Sequence, residues 1–151
     1  MRIIKTFFDS QVKLLKPEIY KDKRGFFYES YNKLFLKKIG INKSFIQDNT
    51  SFSKNIYTFR GIHIQLKPYC QAKLIRVLEG SLIDYVVDLR LRSKTFGKFI
   101  SIKIEEKDNK QIYIPEGFGH AFLTTANNTT VSYKVSKYYS HQNSISIDYK
   151  D

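Results

Sequence analysis

Cysteine is almost missing from this chain: Cys70 stands alone among 151 residues. A lone thiol excludes an intrachain disulfide framework and any cysteine-built metal site, and it points to a reducing cytoplasm. Long apolar runs are also missing. No stretch approaches the roughly 20 residues that a membrane-spanning helix needs, and Met1–Asp9 lacks the sustained apolar region of a signal peptide. Internal repeats, low-complexity tracts and linkers are absent too, so residues 1–151 read as one domain. Acidic residues are few: 14 Asp and Glu against 26 Lys and Arg leave a net charge of +12. A nucleic-acid binder would gather those cations into a dense run. Lys13, Lys23, Lys38, Lys103 and Lys110 are instead scattered, as on a solvated surface. A few basic side chains converging on an anionic small molecule fit the same charge.

What the chain does have is apolar and aromatic side chains. Hydrophobic residues make up 42% and aromatics 15%, with 12 Phe and 11 Tyr, which suits a strand-rich globular core. Strands are predicted at 2–7, 11–15, 26–31, 44–48, 57–65, 71–78, 81–89, 98–105, 111–114, 119–124 and 130–139. Turn clusters at 20–25, Glu79-Gly80, Pro115-Glu116-Gly117 and Asn127-Asn128 punctuate them. One short helix is predicted over 33–39, capped by Asn32, stopped by Gly40, with Leu34, Phe35 and Ile39 on its apolar face. Many short strands at this spacing imply an all-β antiparallel sandwich or barrel.

Several strands carry polar residues where a plain core would be apolar. In Arg60-Gly61-Ile62-His63-Ile64-Gln65, the period of two puts His63 and Gln65 on one face. Gln71 and Lys73 share a face, as do Asp84 and Asp88 with Leu82 and Val86, and Tyr133 with Val131 and Val135. A carboxylate in such a strand costs several kcal/mol unless paired; Asp88 is expected to pair with Arg90, which leaves Asp84 for a site. His120 follows the rigid corner Pro115-Glu116-Gly117. Two histidines, with Gln65 where a third ligand would be wanted and the Lys73 ammonium nearby, are too sparse for a metal, so the pocket reads as free of metal and cofactor. A base, an acid and a cation around one pocket suit proton transfer beside a ketone. For each residue alone, a hydrogen-bonded core role remains the plainer alternative.

Taken together, Asp22-Lys23-Arg24-Gly25-Phe26-Phe27-Tyr28-Glu29, Phe45-Ile46-Gln47-Asp48-Asn49, Arg60–Gln65, Gln71–Arg76, Asp84–Arg90, Tyr113–Phe122 and Tyr133-Lys134 resemble the dTDP-4-keto-6-deoxyglucose 3,5-epimerases of the rhamnose pathway. The motifs run in family order along nearly the whole chain. The resemblance implies a cupin-type jelly roll, usually a homodimer, that epimerises a nucleotide-diphosphate sugar without cofactor for deoxysugar, lipopolysaccharide or capsule synthesis. It casts His63 as the base, Lys73 as the partner of the enolate oxygen and Tyr133 as the acid. Arg24 and Arg60 resemble diphosphate contacts, and Glu29, Gln47 and Asn49 contacts to nucleotide or sugar. Phe27 and Tyr139 resemble base-stacking aromatics, while Gln65 and His120 count among the pocket residues that bind substrate. Members of this family normally continue beyond the point where this sequence ends, and their later segment supplies the aspartate that pairs with the base. Asp84 is therefore expected to orient His63, with Asp148 as second choice. Inversion at C3, C5 or both, a 3,4-ketoisomerase, and a non-catalytic sugar-nucleotide binder remain open readings.

Overall fold

A computed structural model describes residues 1–150. Its strands are β1 (Arg2–Phe7), β2 (Val12–Lys16), β3 (Tyr20–Asp22), β4 (Gly25–Phe27), β5 (Gln47–Ser53), β6 (Phe59–Gln65) and β7 (Lys73–Glu79), followed by β8 (Ser81–Asp88), β9 (Phe99–Glu105), β10 (Gln111–Ile114), β11 (Phe118–Thr124), β12 (Thr129–Val135) and β13 (Ser144–Ser146). The only α-helix among the described residues is α1 (Lys33–Lys38). A six-stranded sheet runs β1-β2-β10-β7-β12-β5, and a five-stranded sheet runs β13-β6-β11-β8-β9. All pairings are antiparallel. From β5 to β8 and again from β9 to β13, each successive strand crosses to the other sheet, which is the winding of a jelly roll.

The alternation in the sequence explains how the sheets face each other. Along β8, Leu82, Asp84, Val86 and Asp88 are buried, and the residues between them are half-exposed. Leu82 and Val86 join Val12, Leu14, Ile75, Val77, Ile112, Phe122 and Val131 in the core between the sheets. Asp88 is paired as its position demanded. Arg90 donates Nε and Nη2 to its two oxygens at 2.8 and 2.7 Å, and Ser93 and Thr95 donate to Oδ2. Burial pushes the Asp88 carboxyl up, but these hydrogen bonds outweigh it and hold the pKa well below the usual range.

A second cluster, Leu15, Leu36, Ile41, Ala72, Leu74 and Tyr113, lies on the outer side of the six-stranded sheet beneath α1. Asn32 Oδ1 accepts from Phe35 N at 3.0 Å, as its capping position suggested. At the other end Gly40 takes φ +82°, Gly40 N donates to Lys37 O and Ile41 N to Leu36 O, closing a Schellman motif. The buried helix residue is Leu36, whereas Leu34, expected inside, is 73% exposed. The two positions lie about 200° apart on a helix, and the Leu36–Ile41 contact of the C-cap decides which one faces the sheet.

Other boundaries differ from expectation. Residues 44–46 precede the strand that was predicted there, and β12 ends at Val135, so Tyr138 and Tyr139 sit in a loop. The expected turn at 20–25 is a small hairpin, β3–β4, separate from both sheets. Strand β13 was not anticipated, because Ser-Ile-Ser is too short and polar to stand out. No described helix is long and apolar enough to cross a membrane.

Candidate active site

At one end of the sandwich the two sheets part around a cavity of about 490 Å³. The six-stranded sheet contributes Gln47 and Asn49 from β5, Lys73 from β7 and Tyr133 from β12. The five-stranded sheet contributes His63, Ile64 and Gln65 from β6 and Ser144 and Ser146 from β13; Gln71 and Tyr139 complete the lining. His63 therefore approaches from one sheet, and Tyr133 and Lys73 from the other. Tyr133 lies directly across from Asn49 in the ladder, which keeps both on the inner face.

Strand β6 is less regular than a period of two allows. His63 pairs with His120, yet Arg60 pairs with Phe122, so a bulge at residues 61–62 turns Arg60 to the same side as His63. Gly61 permits this. Its φ is +130°, and a Cβ there would lie 2.4 Å from Ala121 Cβ and 2.7 Å from His120 O. Arg60 Nε donates to Ser53 Oγ and Nη2 to Phe52 O, both at 3.0 Å, which ties its guanidinium to the end of β5.

Burial, and then the charges of Lys73, His120 and Arg60, lower the His63 pKa below 6.5, favouring the neutral imidazole that can accept a proton. Burial also pushes Lys73 down to about 8, while the Asp84 charge holds it up. The Tyr133 phenol is raised by burial, with Arg60 drawing it part of the way back, so it stays protonated at neutral pH. Among the described residues, no group of three or more His, Cys, Asp or Glu converges as a metal site would require.

Asp84 is not where the expectation put it. Its Oδ2 lies 2.8 Å from Nε2 of His120, not on His63. The sheet order explains this: β11 separates β8 from β6, so the histidine within reach of Asp84 is the one on β11. Asp84 is thus engaged by His120 rather than by His63. Asp148 follows Ile147, which exchanges two backbone bonds with Ile62.

Gln65 lines the cavity as expected and also supports the structure around it. It is 5% exposed; its Nε2 donates to the carbonyls of Tyr69 and Tyr138, and its Oε1 accepts from Ser140 N at 3.0 Å. Gln47 Oε1 accepts from Tyr139 N at 3.1 Å, and its Nε2 donates to Asn49 Oδ1. Both glutamines thus fasten the loop that carries Tyr139.

Arg24, Phe27 and Glu29 do not reach this cavity within one chain. Arg24 and Phe27 line a separate cleft of about 550 Å³ in the β3–β4 hairpin, where Arg24 pairs with Asp22. Glu29 lines other clefts beside Phe27. The hairpin pairs with neither sheet, and this is why these residues lie apart. Sequence reasoning missed Ser144 and Ser146 because β13 itself was missed. Gln71 was detectable as the residue sharing a face with Lys73.

Comparison with known proteins agrees with this fold. The family model described as dTDP-4-dehydrorhamnose 3,5-epimerase matches residues 10–151. The dTDP-4-dehydrorhamnose 3,5-epimerase of Salmonella typhimurium is 40% identical over all of this chain and 82% of its own length. The Bacillus anthracis enzyme of the same name, solved with TDP and PPi bound, superposes with a TM-score of 0.96 at 41% identity, covering 99% of this chain and 85% of that one. The Legionella pneumophila dTDP-6-deoxy-D-glucose-3,5-epimerase, solved in complex with dTDP-4-keto-L-rhamnose, gives 0.91 at 38% identity, covering 98% and 78%. This chain belongs to the dTDP-4-dehydrorhamnose 3,5-epimerase family.

Proposed function

We propose that this protein is a sugar-nucleotide epimerase that inverts C3, C5 or both in a dTDP-4-keto-6-deoxyhexose, with His63, Lys73 and Tyr133 as its reacting groups. The observation that carries the assignment is the approach of His63 and Tyr133 to one cavity from opposite sheets. Inverting a carbon beside a ketone needs a proton removed on one face and another delivered on the opposite face. Neutral His63 takes the proton from the carbon next to the C4 ketone and becomes the imidazolium. The electron pair moves onto the ketone oxygen, where the Lys73 ammonium meets the developing charge. Tyr133 then returns a proton to the other face and is left as phenolate. Exchange with solvent restores both groups. Epimerases are isomerases, so this cycle consumes no oxidant or reductant.

Arg60 suits the diphosphate, since forked guanidiniums match phosphate oxygens. Gln47 and Asn49 suit polar contacts to the nucleotide or sugar, and Tyr139 suits a stacked base, worth roughly 1–3 kcal/mol. His120, cast as a substrate contact, is buried beside His63 in the ladder and does not line the cavity; in this reading it supports the sugar end from behind His63. The assembly is a homodimer in this reading. Strand β1 is a sheet edge with Ile3 and Ile4 each 38% exposed, and the hairpin holds Phe26 and Phe27 at 63% and 66% exposure. A second copy would cover this apolar surface and receive Arg24, Phe27 and Glu29 beside its own cavity.

The test is incubation with dTDP-4-keto-6-deoxyglucose, borohydride reduction and analysis of the released 6-deoxyhexoses. New epimers at C3 or C5 are expected. A product identical to that of the enzyme-free control would overturn the assignment.

A further inference from the structure

Strand β13 places two hydroxyls on the wall that carries His63. Its register with β6 sets Ser146 opposite His63 and Ser144 opposite Gln65, and both serines line the cavity. Ile145 between them turns to the other face, where it is 40% exposed. The backbone bonds fix how near these side chains stand. Ile147 N donates to Ile62 O at 2.9 Å and Ile62 N to Ile147 O at 3.2 Å, and further along Leu66 N donates to Asn143 O at 2.8 Å. In an antiparallel ladder, pairs that exchange such bonds alternate with pairs that do not, and side chains of the second kind stand closer. His63 and Ser146 form a pair of this closer kind, with Cβ atoms about 4.5–5.5 Å apart. Gln65 and Ser144 form the next. The Gln65 amide is taken up by the backbone of Tyr69, Tyr138 and Ser140. The polar side-chain groups that this wall turns towards a sugar are therefore His63 and the two serine hydroxyls.

We infer that Ser146 is a specificity-determining residue: its hydroxyl hydrogen-bonds the hydroxyl on C3 of the 4-keto sugar and so makes C3 a carbon that His63 deprotonates. This rests on the epimerase reading and names the reacting carbon within it. A base stands about 3–3.5 Å from the atom it attacks, and a hydroxyl pairs with another at about 2.7–2.8 Å. The substituents of the carbon that meets His63 therefore fall within reach of Ser146. The two carbons beside the C4 ketone differ in what they offer. C3 bears a hydroxyl, whereas C5 bears a methyl group that would leave the serine unpaired. The stereochemistry strengthens the contact as the reaction proceeds. Removal of the proton flattens C3 and brings its hydroxyl into the plane of the enolate. A proton delivered from the Tyr133 face then bends that hydroxyl towards the His63 face, where Ser146 stands. The hydrogen bond is thus best made after the proton has left, and a contact of that kind raises kcat as well as affinity.

The experiment compares dTDP-4-keto-6-deoxyglucose with the analogue that lacks the C3 hydroxyl, each in deuterated water, with exchange at C3 followed by NMR. Ser146→Ala should lower kcat/KM for C3 exchange about 3–10-fold with the hydroxylated sugar, as loss of one neutral hydrogen bond requires. With the 3-deoxy analogue the same variant should stay within about twofold of wild type, because the partner is already gone. Ser146→Thr keeps the hydroxyl and should retain most of the rate. An equal loss with both sugars, or wild-type exchange confined to C5, would overturn the role. Ser146 is exposed on an edge strand, so loss of its hydroxyl leaves the fold standing. Affinity supplies a readout free of turnover. Ser146→Ala should weaken binding of the unreactive dTDP-6-deoxyglucose but not of its 3-deoxy form, and equal weakening would again overturn the role. A wild-type protein that shows this discrimination in binding yet exchanges at neither carbon counts against the epimerase assignment, not against the Ser146 contact.

Discussion

His63 must be neutral to accept a proton, and Lys73 must be charged to meet the oxyanion. Burial and neighbouring cations depress the imidazole below its ordinary 6.5, so the base form persists into mildly acidic solution. The lysine, held near 8, loses its proton as pH rises through that value. The kcat/KM profile should therefore be a bell, with its acidic inflection below pH 6.5 and its basic inflection near pH 8. Rates measured across buffers from pH 5 to 10 check this; a basic limb near 10, where an unburied lysine or a tyrosine titrates, would contradict it. The His63→Ala variant should lose about 10²–10⁴-fold in kcat, the usual worth of a positioned base. These residues were legible in the sequence because polar side chains on alternating apolar strands are costly and so conspicuous. The partner of Asp84 was not legible, because strand order within a sheet decides which side chains are neighbours, and β11 intervenes between β6 and β8.

Strand β6 and the loop after β12 carry the site at the scale of elements. Period-two reasoning aligned His63 with Gln65 but would have left Arg60 on the other face; the bulge at Gly61 brings it round, and only that glycine hinted at it. Alternation along β8 was read correctly, since burial on one face leaves a strong pattern. The polar β13 and the detached β3–β4 hairpin left no such pattern, because neither owes its place to a buried apolar face. Gln65 shows how an apparent contact residue becomes a support: every polar atom of its side chain is spent on the backbone near Tyr69, Tyr138 and Ser140. Gln65→Ala should free the loop that carries Tyr139. Steady-state kinetics should show KM raised about tenfold or more, the equivalent of losing roughly 1–3 kcal/mol of base stacking, with kcat changed much less. A loss confined to kcat would instead make Gln65 part of the reacting site.

For the whole molecule, two sheets close a core at one end and part at the other, so base and acid can stand on opposite sides of a planar enolate. The jelly roll was legible from strand count and punctuation, and the family from its motifs. The assembly was less so, because a chain seen alone leaves Arg24, Phe27 and Glu29 away from the cavity. If a second copy receives the hairpin, light scattering should give a dimer mass. Mixing and re-pairing inactive Arg24→Ala and His63→Ala subunits should then recover activity, because some sites combine the intact half of each; a monomer, or no recovery from verified mixed dimers, would contradict the shared site. The most direct measurement is proton exchange with solvent. Incubated with dTDP-4-keto-6-deoxyglucose in deuterated water and followed by NMR, the wild-type protein should replace hydrogen by deuterium at C3, C5 or both. His63→Ala should abolish the exchange, and Tyr133→Phe should suppress formation of inverted product. No deuterium at either carbon, with the nucleotide sugar bound, would contradict the proton-transfer chemistry assigned to His63 and Tyr133.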